Sequence, residues 1–334
     1  MFQVFTKRNA IEPVSTPSLE RQEPKTGLPK IGLALSGGAA RGWAHIGVIK
    51  ALVANGYTPD VVAGTSIGAL VGGVWAAGKL DELEEWVRSI NKRRILGLMD
   101  FRFGGAGLIA GSRLADLLGR NLGDLSIESL PVRFAAIATE ISTGHEIWLT
   151  QGNLADAMRA SYALPGIFNP VKVAGRWLMD GALVNPVPVT AARALGARVV
   201  IAVNLNADAF GRGTVIQNHG LEEEPTEVSV EISRETRFGS MFRIDRLIRR
   251  QFFGNTRHDG PSGISSVMID AFNITQDRIS RSRLAGDPPD VLLSPKLGNI
   301  GLFDFANAAN AIRLGEEAVE RGLEEIGEAA AALT

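Results

Sequence analysis

The chain has 334 residues, 45% of them hydrophobic, with a formal net charge of −1 and no cysteine. That composition suits a globular protein with a sizeable core and excludes intrinsic disorder; the balanced charge gives no overall pull toward nucleic acid. Without cysteine there can be no disulfide, no thiol catalysis and no cysteine-held metal.

Residues 1–29 mix Pro, Glu, Thr, Ser and Lys without periodicity and are expected to form an N-terminal arm, with a domain from 30 to 334. No apolar core of signal-peptide length follows Met1–Arg8, and no apolar run reaches the length of a membrane span. The expected location is therefore cytoplasmic, with any membrane contact peripheral, on the inner face.

Ile31–Leu35 is predicted as a short buried strand, followed by the glycine-rich turn Gly37-Gly38-Ala39-Ala40-Arg41-Gly42 and a helix through His45–Leu52. Tyr57–Ala63 is predicted as the second strand, ending at Gly64-Thr65-Ser66-Ile67-Gly68, with helices over about 67–77 and 80–90. Strands are predicted at 134–139 and 144–149, a helix at 154–159, and an apolar run Trp177-Leu178-Met179 entering Asp180. A helix at 189–195, strands at 199–204 and 291–293 and a closing helix over about 303–333 complete the pattern. Strands alternating with helices predict a three-layer α/β/α fold with a mostly parallel central sheet, whose ligands sit at the carboxyl ends of the strands.

Residues 206–265 differ in composition and read as an excursion from the core. They carry Glu222-Glu223-Glu224, then seven Arg against two acids between 234 and 257. Within 241–253, Phe242, Ile244, Leu247, Ile248 and Phe252 fall at helical spacing, with Arg243, Arg246, Arg249 and Arg250 on the polar side. This is the pattern of an interfacial helix, a candidate lid or membrane dock. A surface helix packed on its own core, or on a second copy of the chain, fits the same pattern equally well.

Gly64-Thr65-Ser66-Ile67-Gly68 has the form G-x-S-x-G between a strand and a helix, the setting of a nucleophile elbow. Acyl transfer by a serine needs an exposed hydroxyl, a base and donors for the oxyanion. Ser66 is the candidate nucleophile. The turn 37–42 is the candidate oxyanion hole, with backbone N–H groups at Gly37, Gly38 and Ala39 and a fixed charge at Arg41. It matches neither a Walker A loop nor a Rossmann fingerprint. The four histidines, His45, His145, His219 and His258, do not fall where a triad base is needed, whereas Asp180 ends a strand before a glycine. A carboxylate can accept the serine proton directly, so the expected unit is a Ser66–Asp180 dyad.

These motifs, with Ser161-Tyr162-Ala163-Leu164-Pro165-Gly166 and Asp180-Gly181-Ala182 through Pro188 in that order, resemble the bacterial patatin-like phospholipases over about residues 30–205. The resemblance implies hydrolysis of phospholipid, lysophospholipid or another fatty acyl ester through this dyad, a mechanism that requires no metal or cofactor. Thioester hydrolysis or acyl transfer would use the same dyad, and a non-catalytic lipid sensor is a further alternative.

Overall fold

The computed structural model describes residues 29–90, 107–109, 112–208 and 264–333. Strands β10 (Val291–Leu293), β9 (Val199–Val203), β1 (Ile31–Leu35), β2 (Val61–Thr65) and β4 (Arg133–Glu140) lie side by side in that order, all parallel. Strand β5 (Glu146–Leu149) pairs antiparallel with β4, as does β8 (Arg176–Asp180), which in turn pairs with β7 (Val171–Val173). A separate parallel pair joins β3 (Gly107–Ile109) to β6 (Gly166–Phe168).

Each central strand is buried on both faces, so its residues are apolar throughout rather than alternating apolar with polar. Size alternates instead. Leu33, Leu35, Val62, Phe134, Ile201 and Val203 project into one core, and Ala34, Ala63, Ala135, Val200 and Ala202 into a thinner second one. Helices α1 (Ala44–Ala54), α2 (Ile67–Ala76) and α8 (Ala308–Ala331) supply the first core. The short α6 (Val189–Ala194) sits on the small residues of the second, where a Cβ on Gly32 would come within 2.4 Å of Ala197 Cβ. Together these layers make the three-layer α/β/α sandwich, with a mixed sheet that is parallel through its centre.

Helix α8 lies directly along α1. Cβ atoms on Gly47 and Gly315 would fall 1.9 Å from Ile312 O and 2.0 Å from Ala44 O, so glycine is what lets the two backbones touch. Helix α7 (Ile264–Gly286) was not anticipated from the sequence. Its far end is fixed by Leu284 in the second core, by Arg283 Nη2 on Glu146 Oε2 at 2.8 Å, and by Thr190 Oγ1 donating to Asp287 Oδ2 at 2.6 Å.

Several boundaries differ from expectation. Strand β2 begins at Val61, because Asp60 turns its carboxylate back to accept the Ile31 N–H at 2.9 Å. The last helix begins at Ala308, after a short 3-10 turn at Phe305–Asn307. Strands β3, β6 and β7 and helices α3 (Leu80–Arg88), α4 (Ser112–Leu122) and α5 (Leu154–Ser161) complete the described strands and α-helices. The arm at 1–28 and most of the excursion, including Phe242, Arg246, Leu247, Ile248, Arg249, Arg250 and Phe252, lie outside the described residues.

Candidate active site

Strand β4 is longer than its neighbours, and two strands share one of its edges. Residues 133–137 pair with β2, and residues 138–140 pair with β8 running the other way. Because β5 overlaps both stretches from the opposite edge, β2 and β8 must meet tip to tip. Thr65 lies opposite Ile137 and Asp180 opposite Ala138, so Ser66 leaves its strand beside Asp180. The Ser66 hydroxyl donates to Asp180 Oδ2 at 2.7 Å.

Ser66 has φ 57° and ψ −123°, a strained conformation for a residue with a side chain. Tight packing around it keeps the turn in place. A Cβ on Gly64 would lie 2.5 Å from Ala69 N, and one on Gly68 would lie 2.3 Å from Leu35 O. The Ser66 N–H donates to Ser161 Oγ at 2.9 Å, and the Ser161 hydroxyl donates to Ile137 O at 2.5 Å. Thr65 Oγ1 adds a bond to Asn185 O at 2.8 Å.

Asp180 is 1% exposed. Its Oδ1 accepts the Ala182 N–H at 2.8 Å, and its carbonyl accepts from Thr139 Oγ1 at 2.9 Å, which fixes the carboxylate plane toward Ser66. Burial pushes its pKa from 3.8 up to about 7, against the opposing hydrogen bonds from Ala182 and Ser66. A carboxylate with that pKa is matched to proton transfer near neutral pH.

The glycine turn leads from β1 into a 3-10 turn at Ala39–Trp43 that runs on into α1. Its N–H groups have different fates, and that of Gly37, expected in the oxyanion hole, is already taken. Gly37 donates to Pro186 O at 3.1 Å, Ala40 to Leu302 O at 2.9 Å and Arg41 to Gly38 O at 3.1 Å. Among the described residues no acceptor takes the N–H of Gly38 or Ala39. Ala39 has φ 48°, the left-handed conformation that aims successive N–H groups into one concavity. The Arg41 guanidinium is taken up by other partners: Nε donates to Ile300 O at 2.9 Å and Nη1 to Asn206 Oδ1 at 3.3 Å. It fastens the turn rather than contacting the serine.

His45 is fully buried in α1, and one ring nitrogen (Nε2) bonds Ser36 O at 2.8 Å rather than Ser66 or Asp180. Burial pushes its pKa down to about 4, so it is a neutral packed residue. His145 is exposed in the turn between β4 and β5; His219 and His258 lie outside the described residues.

Above Ser66 and Asp180 opens a cavity of about 390 Å³. Leu70, Leu83, Trp86, Leu118, Phe168 and Phe272 are among its walls, and Ser66 and Asp180 lie in it. No group of three His, Asp or Glu among the described residues could hold a metal ion.

The family model described as patatin-like phospholipase matches residues 33–193. An NTE family protein of Mycobacterium tuberculosis is 32% identical over 337 residues, covering 89% of this chain and 92% of that protein. The chain belongs to the patatin-like phospholipase family. Over nearly its whole length it is similar to those NTE family proteins. It is also 33% identical over 184 residues to the neuropathy target esterase sws of Drosophila melanogaster and to the human patatin-like phospholipase domain-containing protein 6. Each of these matches covers 53% of this chain and 13% of the relative. The crystal structure of VipD from Legionella pneumophila superposes with a TM-score of 0.42 at 15% identity, covering 89% of this chain and 67% of that one. Family membership supports lipid acyl hydrolysis as the general activity.

Sequence reasoning did not find Ser161, Asn206 or Gln276 as parts of the site. Ser161 stood inside a recognised block, at the last position of a helix, where its hydroxyl can turn back onto the neighbouring strand. Nothing local marks Asn206 or Gln276, which reach the glycine turn from the end of β9 and from α7.

Proposed function

We propose that this protein is a lipid acyl ester hydrolase of the phospholipase A, lysophospholipase or esterase type, acting through Ser66 and Asp180 and a covalent acyl-enzyme. The observation that carries this reading is the 2.7 Å bond from the Ser66 hydroxyl to Asp180 Oδ2 at the base of an apolar cavity. Asp180 accepts the hydroxyl proton as Ser66 Oγ bonds the ester carbonyl carbon. The carbonyl oxygen becomes an oxyanion facing the N–H groups of Gly38 and Ala39. Collapse of that intermediate expels the alcohol, which takes the proton from Asp180. A water then attacks the acyl-serine with Asp180 again as base, which releases the fatty acid and restores Ser66.

The wall of leucine, tryptophan and phenylalanine suits an acyl chain and offers little to a polar substrate. The substrate is a lipid taken from a membrane surface on which the protein lies peripherally. No helix among the described residues is long and apolar enough to cross a membrane.

The test is hydrolysis of short and long p-nitrophenyl acyl esters by wild type, Ser66→Ala and Asp180→Ala, with and without phospholipid vesicles. Loss in both variants supports the dyad; activity persisting in Ser66→Ala removes it and turns attention to lipid sensing.

A further inference from the structure

A second polar chain of contacts reaches the glycine turn from the side opposite Asp180. Arg41 Nη1 donates to Asn206 Oδ1 at 3.3 Å. That bond fixes which way the Asn206 amide points, because a guanidinium has only donors. Asn206 Nδ2 therefore faces the turn, donating to Gly37 O at 3.4 Å and to Gln276 Oε1 at 3.5 Å. The second bond fixes the Gln276 amide in turn. With Oε1 held by Asn206, the Gln276 NH₂ group is directed away from Asn206.

Gln276 is 5% exposed and lies on α7, yet it lines the cavity that holds Ser66. The space beside Gly37 locates it. A Cβ there would touch Ser66 Cβ at 3.4 Å, Ala182 Cβ at 3.4 Å and Gln276 Oε1 at 3.8 Å. Gln276 thus stands on the face of the turn that carries the nucleophile. A buried amide of this kind, in a wall that is largely apolar but also carries Asn121 and Asn273, is costly unless its donors find a partner.

We infer that Gln276 is a further catalytic residue, its side-chain NH₂ donating to the substrate ester as the oxyanion forms, and that Asn206 and Arg41 are positioning residues that set its orientation. The inference rests on the Ser66–Asp180 reading above. It gives the Arg41 charge a route to the site: a string of hydrogen bonds polarises each successive donor, so the guanidinium strengthens the last one without touching substrate. It also makes the hole partly side-chain-built, with one donor supplied by an element outside the segment matched by the family model.

The experiment compares wild type, Gln276→Met, Asn206→Asp and the double variant on a p-nitrophenyl octanoate substrate, with melting curves for each. Gln276→Met keeps the length of the side chain and removes both donors. The expected result is a fall in kcat of about 100-fold with KM nearly unchanged, as for loss of one oxyanion donor. Asn206→Asp replaces the donor facing Gln276 by an acceptor, so the Gln276 amide turns over and presents Oε1 to the substrate; kcat should fall by a similar factor. The double variant should be no worse than the worse single one, because both act through the same donor. Additive losses, or a change confined to KM or the melting temperature, overturn the inference. Gln276→Met with wild-type kcat overturns it while leaving the dyad intact. An inactive wild type whose Ser66 is not labelled by a fluorophosphonate removes the underlying reading instead.

Discussion

Ser66 and Asp180 meet because β2 and β8 share a single edge of β4 and end there facing each other, Thr65 opposite Ile137 and Asp180 opposite Ala138. Ser66 and Asp180 stand 114 positions apart in the chain and are brought together by one register, so the 2.7 Å bond depends on sheet pairing rather than on a flexible loop. Rigid elements hold reacting groups more closely than loops do, which is what proton transfer within one hydrogen bond requires.

Replacing the base while keeping its shape separates chemistry from packing. Asp180→Asn retains an acceptor for the Ala182 N–H but cannot take the serine proton. Its kcat on a p-nitrophenyl ester should fall by about 10²–10⁴-fold, the usual worth of a general base.

The raised pKa of Asp180 sets the direction of the pH profile. The carboxyl must be ionised to act as base, so kcat/KM should rise with pH through about 7 and level off above it. A stopped-flow or plate assay between pH 5 and 9 on a substrate that does not ionise checks this. A profile flat across neutral pH would count against Asp180 as the base.

The same shift has a consequence for stability. The folded pKa, about 7, lies above the unfolded one, 3.8, so folding favours the protonated acid. Stability therefore declines as pH rises between those values, and the full penalty, on the order of a few kcal/mol, is present above about 7. Asp180→Asn should melt higher than wild type at pH 8, and the gap should shrink toward pH 4. With Asp180 as the proposed base, catalysis and stability are in opposition at this position.

Ser161 braces the elbow through two bonds, to the Ser66 N–H and to Ile137 O. Ser161→Ala leaves a donor without its partner at the most strained residue of the turn. The expected cost is about 1–3 kcal/mol in denaturant unfolding, together with a lower kcat.

Glycine positions give an opposed pair. Gly68→Ala would place a Cβ 2.3 Å from Leu35 O, a backbone atom that cannot step aside, and should destabilise by at least about 1–3 kcal/mol. Gly119→Ala, with nothing within 4 Å of the new Cβ and a position inside α4, should stabilise by about 0.5–1 kcal/mol. Thermal melts of the two variants should move in opposite directions.

Much of the site was legible because its parts are local. A strand, a G-x-S-x-G turn and a helix follow one another between Val61 and Ala76, and each carries its own sequence signal. The central strands were legible because burial on both faces makes them continuous apolar runs, as at Val199–Val203. Strands β6 and β7, three residues each, are too short to show a period. Helix α7 was not visible because its apolar residues do not fall on one stripe. Val267 and Met268 are exposed, whereas Gln276, Asp277 and Ser280 are buried. The fate of each N–H in the glycine turn depends on partners at Pro186 and Leu302, which no local pattern announces.

The most direct test of the central claim is covalent labelling by a fluorophosphonate, followed by mapping of the modified peptide. Only a serine made nucleophilic by its base reacts readily. Labelling at Ser66 in wild type, abolished in Ser66→Ala and greatly slowed in Asp180→Asn, is the predicted result. Labelling at another serine, or undiminished labelling without Asp180, would contradict the dyad.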